Sequence, residues 1–236
     1  VGEAEYAELL DELRTLQPDA ERVQPWQSRY LMERVKRRKH AFDSQSVRPY
    51  FSYRRVCDGV LATTETLFGV EIQRAEDSEA WHESVETYDV FEGGERVARF
   101  YLDMFPREGK YKHAAMFGIR SGVRGGALPE AALVCNFPEP TDSDPALLLH
   151  DQVTTFFHEF GHLLHHLFSV QRFHGFAGIA CEWDFVEVPS QLYEEWAWSV
   201  SVLQRFATHH ETGEAIPSDL VERLRAAEEY GKGLGV

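Results

Sequence analysis

The sequence predicts a mainly α-helical fold with one small β-sheet. Apolar residues recur at helical spacing through residues 1–69 and again through residues 146–236, in runs too long for strands. Between these parts, residues 70–136 contain short apolar or alternating runs, two of which flank a Gly-Gly pair. We therefore expect helices, a small sheet and further helices, all in a single region that spans residues 1–236.

Three helices are expected in the first part. One apolar stripe ends before Pro18, and a second runs from Trp26 to about Phe42 behind a proline at the first helical position. A third helix should follow Pro49 and end at Gly69, because glycine readily adopts the left-handed conformation that ends helices. Its apolar positions, expected to face a core, are Val56, Val60, Leu61, Leu67 and Phe68.

The remaining elements follow from the same patterns. Residues 85–91 and 97–104 should pair as a hairpin, and residues 114–119 and 132–136 should form further strands. A proline-rich break precedes a helix expected over residues 147–167. Two more helices are expected over residues 185–206 and from Ser218 to about Tyr230.

Composition excludes several classes of partner. The net charge of −15, from 24 basic against 39 acidic residues, would repel nucleic acids and anionic membranes. The basic run at residues 36–39 is therefore expected to be a solvated helix face. Three cysteines without a CxxC pair indicate no disulfide framework, and no apolar run is long enough to span a membrane. We expect a cytoplasmic monomer without a membrane or nucleic-acid partner.

The residues that carry chemistry form an HExxH motif at positions 158–162. His158 and His162 lie four residues apart, so a helix places them on one face, about 40° apart. Two imidazoles held in this way are suited to bind one zinc ion. Glu159 lies on the flank of that face, where its carboxylate can take a proton from a water molecule.

A catalytic zinc site needs a third protein ligand, and Glu187 is the candidate. It lies at the start of the following predicted helix, which can pack against the first. An alternative is that Asp184 and Glu187 only form a capping box, since they are three residues apart. Asp184 could also cap the helix while accepting a hydrogen bond from a ligand histidine, and His165 is a second candidate for contact with the ligands.

Several segments resemble the zinc peptidases of the thimet oligopeptidase and oligopeptidase A group. They are residues 156–169 (FFHEFGHLLHHLFS), 184–191 (DFVEVPSQ), 106–118 (PREGKYKHAAMFG) and 231–236 (GKGLGV). The resemblance implies a zincin-type HExxH catalytic region that binds one zinc ion through His158, His162 and Glu187, with Glu159 as general base. It also implies short peptides as substrates.

The resemblance further implies that a strand on the active-site wall pairs with an extended substrate. An ordinary core strand is the alternative for this segment. Its residues are Ala131, Ala132, Leu133, Val134, Cys135 and Asn136.

In the family, a histidine and tyrosines that stabilise the tetrahedral intermediate lie beyond the glutamate ligand, past Val236. We therefore expect a truncated catalytic region of a longer, two-lobed protein. Loss of one oxyanion donor typically costs roughly 100- to 1000-fold in rate. The isolated chain is accordingly expected to be weakly active or inactive.

Two other functions stay open at this point. A related exopeptidase that releases dipeptides would use the same motif and downstream glutamate. A non-catalytic module could instead bind peptides or use zinc only structurally, although a structural site usually closes with a fourth protein ligand. Manganese or cobalt would also fit this ligand set.

Overall fold

The computed structural model describes residues 2–40, 42–75, 78–228 and 230–231, so most of the 231–236 segment lies outside the described residues. The chain divides into two compact units: one comprises Val1–Pro49 and Ile216–Val236, and the other comprises Tyr50–Ala215. The prediction of a single catalytic region over residues 1–236 stays a prediction.

Helices dominate the described residues, and a five-stranded sheet accompanies them, which confirms the predicted mixture of elements. The elements are α1 (Gly2–Leu16), α2 (Pro25–His40), α3 (Tyr53–Phe68), β1 (Glu71–Arg74), β2 (Glu86–Glu92), β3 (Glu95–Asp103), β4 (Ala115–Arg120), β5 (Glu130–Val134), α4 (His150–Phe168), α5 (Trp183–Val186), α6 (Val188–Glu194), α7 (Val200–Phe206) and α8 (Ser218–Glu228).

The first unit is built from α1, α2 and α8. Its core consists of apolar side chains from the facing stripes of α1 and α2, including Leu9, Leu13, Leu31 and Val35. The basic run of α2 is paired with carboxylates rather than free. Lys36, Arg37, Arg38 and Lys39 lie within ion-pair distance of Glu228, Asp43, Glu12 and Glu8, respectively. This pairing lowers the attraction that the run could exert on a polyphosphate.

The second unit contains the sheet, whose strand order is β1-β2-β3-β5-β4. The β3–β5 pair is parallel, and the other neighbouring pairs are antiparallel. Gly93 and Gly94 form the predicted two-residue turn between β2 and β3, with φ of 59° and 85°. A turn of this type needs positive φ at both central residues, so glycine suits both positions.

The helix that follows the sheet, α4, packs on β4 and β5 and forms the centre of the core. Phe156, Phe157 and Phe160 are completely buried. Phe160 makes an edge-to-face contact with Phe100 of β3, with ring centroids 5.6 Å apart. Aromatic contacts of this kind add to the free energy gained by burial, so the face of α4 opposite its polar residues is held firmly.

Three element predictions need correction. The expected helix over residues 185–206 is broken into α5, α6, a 3₁₀ helix and α7, because a new helix begins at Val188 with Pro189 in its first turn and Ser199 is extended. The strand expected at residues 132–136 is β5, which starts and ends two residues earlier. Finally, Val56 and Val60 of α3 are buried as predicted, but Leu67 and Phe68 are exposed at its last turn.

Cys57, Cys135 and Cys181 are free cysteines, of which the first two are buried and the third is exposed. No helix in the described part of the chain has both the length and the apolar content required to cross a membrane.

His150, the first residue of α4, should make stability depend on pH. Its buried ring contacts the Ala197 carbonyl oxygen at 2.8 Å, and burial lowers its pKa to about 4. The unfolded chain, with a histidine pKa near 6.5, binds more protons between these values. We expect the free energy of unfolding to fall by about 3 kcal/mol from about pH 7 to about pH 4.

Urea unfolding across this pH range measures the effect. His150→Gln keeps a donor for the Ala197 carbonyl oxygen but does not titrate, so its stability should change less with pH. Identical pH profiles for the two proteins would show that His150 is not responsible.

Candidate metal centre

The motif residues lie on the face of α4 that points away from the aromatic core. His158, Glu159 and His162 are half-buried, whereas the neighbours Phe157 and Phe160 are fully buried. The helical period separates the two sets, since positions one residue apart are rotated by about 100°. The apolar side of α4 therefore anchors the helix and leaves its polar side open to a ligand.

Gly161 allows α6 to approach this polar side closely. A Cβ atom at position 161 would lie 2.6 Å from the Ser190 Cα atom and 3.0 Å from the Pro189 carbonyl oxygen, closer than backbone atoms tolerate. Gly161, inside the HExxH motif, thus has a packing role, in addition to the metal-binding role expected of the two histidines. Close packing of α6 brings Glu187, which directly precedes that helix, to the histidines.

The three candidate ligands converge on one point. The Oε2 atom of Glu187 lies 3.3 Å from Nε2 of His158 and 3.2 Å from Nε2 of His162. One potential ligand atom from each residue lies within 4.8 Å of the other two. No other group of this kind occurs in the part of the chain that the structure describes. The structure therefore brings together the residues that the sequence selected.

These separations fit a zinc ion. Around a tetrahedral zinc with bonds of about 2.0–2.1 Å, neighbouring ligand atoms lie about 3.3–3.4 Å apart. Two imidazole nitrogens and one carboxylate oxygen form the donor set of many hydrolytic zinc sites, in which a fourth position is left for water or substrate. The residues present thus fit a metal both in their chemistry and in their spacing.

The electrostatic environment suits the proposed roles. Burial raises the pKa of Glu159, and the charge of Glu187 acts in the same direction, although His158 and the Met116 backbone N–H oppose them. A raised pKa helps a carboxylate that must accept a proton and then release it. Burial lowers the pKa of His162, which favours the neutral ring that a metal ligand requires.

Asp184 does not occupy the position that the sequence suggested. Glu182 is the N-cap of α5, and Asp184 lies exposed inside that short helix. The capping-box interpretation of Asp184 and Glu187 is therefore wrong. Instead, the buried Ser190 hydroxyl donates to Oε2 of Glu187 at 2.9 Å and orients this carboxylate.

A carboxylate that the sequence interpretation missed contacts His158. Oε2 of Glu194 lies 3.2 Å from Nδ1 of His158, at the end of α6 opposite Glu187. The available signal was its spacing, because Glu187 and Glu194 are about two helical turns apart and share a face. The predicted continuous helix over residues 185–206 did not distinguish Glu194 from its neighbour Glu195.

The two histidines after the motif behave differently. His165 interacts electrostatically with His162 and packs edge-on against Phe185, with ring centroids 6.1 Å apart. His166 is buried, and its Nε2 lies 3.0 Å from the Arg120 carbonyl oxygen. The His166 ring fills the space where Cβ atoms at Gly118 and Gly178 would clash. It therefore ties α4 to the end of β4.

The segment expected to pair with a substrate lies inside the sheet. Between Glu130 and Val134, β5 pairs with β3 on one side and with β4 on the other. A strand with both edges occupied cannot accept a further strand, so the prediction is wrong for Ala131–Val134. Among the described residues the sheet has two edge strands, β1 and β4, and β4 is the edge strand next to β5.

Cys135 and Asn136 also form hydrogen bonds within the chain. The buried Lys110 ammonium donates to the carbonyl oxygens of Asp103, Phe105 and Cys135. The Asn136 amide donates to the Tyr111 carbonyl oxygen at 3.1 Å. Lys110 thus joins the ends of β3 and β5, which gives the resembling segment 106–118 a structural role that sequence reasoning missed.

A short-spaced pair of histidines on one helix, an adjacent acid and a carboxylate from the next helix are typical of metallopeptidases. Comparison with known proteins agrees. A family model described as "Peptidase family M3" matches residues 2–236 of this chain. The chain belongs to peptidase family M3, and this confirms the resemblance inferred from its sequence.

Similar proteins carry several peptidase names. A dipeptidyl carboxypeptidase of Salmonella typhimurium is 40% identical over 89% of this chain and 32% of its own length. Oligopeptidase A of Escherichia coli is 36% identical over 90% of this chain and 32% of its own length. A thimet-like oligopeptidase of Dictyostelium discoideum is 39% identical over 78% of this chain and 29% of its own length. The chain thus spans about a third of these relatives.

Proposed function

We propose that this chain supplies the catalytic centre of a zinc-dependent oligopeptidase that hydrolyses internal bonds of short peptides. The carrying observation is the convergence of His158, His162 and Glu187 on one point, with Glu159 next to His158 on the same helix. Membership of a peptidase family supports the reaction class. The zinc ion, the endopeptidase specificity, a monomeric state and a cytoplasmic location are parts of this proposal.

Different residues would bind the metal ion and transfer the proton. His158, His162 and Glu187 would hold the ion, which when bound supplies a Lewis acid that polarises a carbonyl group and activates water. Glu159 removes a proton from the attacking water and then delivers it to the leaving amine. Burial raises the pKa of Glu159, although His158 and the backbone of Met116 oppose this shift, and a raised pKa helps a carboxylate to release the proton it has accepted.

The free edge of β4 is suited to hold an extended peptide beside this centre. Alternate residues of an antiparallel strand direct their backbone groups to the same edge, so every second residue of β4 offers its N–H and carbonyl groups there. Met116 of this strand acts through its backbone on the pKa of Glu159, so β4 lies beside the proposed base. A substrate added to this edge would form main-chain hydrogen bonds that do not depend on its sequence.

The second candidate is release of dipeptides from a peptide's carboxyl end. It is favoured by the similarity to a dipeptidyl carboxypeptidase, which is comparable to the similarity to oligopeptidase A. Both activities would use the same three ligands and the same base. They differ in whether the enzyme must recognise the terminal carboxylate of its substrate.

The test uses the polypeptide in its full natural length and two short peptides that differ only at their carboxyl ends. One ends in a free carboxylate and the other in an amide, and mass spectrometry identifies the products. An oligopeptidase should cleave both at the same internal bond, lose activity to a chelator and regain it with zinc. Release of terminal dipeptides from the free peptide alone would favour the second candidate. No cleavage by the zinc-loaded protein would contradict both.

A further inference from the structure

The imidazole of His158 has a carboxylate at each of its two nitrogens. Nε2 lies 3.3 Å from Glu187, and Nδ1 lies 3.2 Å from Glu194. A neutral imidazole donates a proton from one nitrogen and offers a lone pair at the other. Because Glu187 is shared with His162, the Nε2 side faces the candidate metal centre and the Nδ1 side faces Glu194.

We propose that Glu194 is a positioning residue for the metal ligand His158. Its carboxylate accepts the Nδ1 proton, which holds the ring in the tautomer that directs the Nε2 lone pair toward His162 and Glu187. Carboxylates in this role also make the histidine a more basic ligand. This inference rests on the proposed function, since it assigns Glu194 a role toward the metal which that function requires.

The structure holds Glu194 firmly in this place. Its neighbour Tyr193 is buried, and the Tyr193 hydroxyl lies 2.6 Å from the Thr64 hydroxyl of α3. At the other end of α6, the close approach to Gly161 leaves no room for the helix to shift toward α4. The two anchored ends of α6 present Glu187 and Glu194 to opposite nitrogens of one ring.

The two candidate histidine ligands differ in the hydrogen-bond partner of their Nδ1 atoms. Nδ1 of His162 is buried and has no hydrogen-bond partner among the described residues. Among the described residues, only His158 of the pair therefore has a carboxylate at its Nδ1. If Glu194 is removed, neither histidine has a carboxylate at its Nδ1 atom, so we expect a measurable loss of metal affinity.

Zinc affinity of this chain tests the proposal, measured by competition with a chromogenic chelator for Glu194→Gln and Glu194→Ala. Changes next to metal ligands typically weaken binding by about 10- to 100-fold, and we expect Glu194→Ala to fall in this range. Glu194→Gln has the same shape but no charge, so its loss should be smaller. Asp184→Asn is the matched control, because it removes one exposed carboxylate near the site and should leave zinc affinity unchanged.

A second readout reports on the ring itself. In zinc-bound protein labelled with ¹⁵N-histidine, NMR should show a His158 Nδ1–H proton that exchanges slowly with water in the wild type and faster in Glu194→Ala. A folded Glu194→Ala with wild-type zinc affinity and an unchanged Nδ1–H exchange rate would overturn the role of Glu194 alone. A wild-type chain that binds no zinc would instead overturn the proposed function, and with it this inference.

Discussion

Replacement of Glu159 by glutamine is expected to lower kcat by about 100- to 10,000-fold while zinc still binds. Glutamine has the same shape as glutamate but cannot accept the proton of the attacking water. The metal should stay, because the three converging ligand atoms come from His158, His162 and Glu187 rather than from Glu159. Steady-state kinetics on the polypeptide in its full natural length, together with metal analysis by mass spectrometry, measures both quantities.

The control for this experiment is Glu182→Gln, which removes a carboxylate that lies exposed on the loop before Glu187 and makes no capping hydrogen bond. Its kcat should match that of the wild type. Because burial raises the pKa of Glu159, the acidic limb of the kcat/KM profile should lie above the usual glutamate range and should disappear in Glu159→Gln. Unchanged turnover in Glu159→Gln would remove Glu159 from the mechanism.

Replacement of Glu187 by alanine is expected to abolish stoichiometric zinc binding by this chain. The change removes the one oxygen that lies within 3.3 Å of both histidine Nε2 atoms. Zinc binding should also raise the wild-type free energy of unfolding, by about 2.7 kcal/mol when the metal is present at a hundred times its dissociation constant. Thermal unfolding with and without zinc should show this gain for the wild type and its loss in Glu187→Ala.

Metal analysis of Glu159→Gln beside Glu187→Ala provides the comparison, since both variants remove one carboxylate from the same site. Zinc retained by the first and lost by the second would support the division of roles between base and ligand. Full zinc content in a folded Glu187→Ala would show that the ion is bound elsewhere. A zinc-free wild type would favour a non-catalytic role for this chain.

The roles and local conformations of residues that are close in the sequence could be predicted without the tertiary structure. The spacing of His158, Glu159 and His162 has a definite meaning on a helix, because the helical period alone determines which face each residue occupies. The same holds for the two-residue turn at Gly93-Gly94, whose geometry selects glycine locally. The family followed from such local segments and is confirmed by the match over residues 2–236.

Contacts between elements that are distant in the chain could not be predicted from the sequence. The sequence placed the substrate strand at residues 131–136, but the strand order leaves β4 at the edge and β5 inside. Strand order depends on which strands meet across the sheet, and alternation of side chains carries no information about that. Likewise, His166 is buried against glycines from two other segments, and nothing in the local pattern indicates this contact.

The sequence alone thus determined the candidate ligands and base, since helical period and residue chemistry are local properties. Only the tertiary structure decided which carboxylate supports His158. Asp184 is nearer to Glu187 along the chain, but α6 begins anew at Val188 and carries Glu194 to the ring instead. That outcome depends on the packing of α6 against α4 at Gly161, and such packing is set by the shapes of two distant surfaces together.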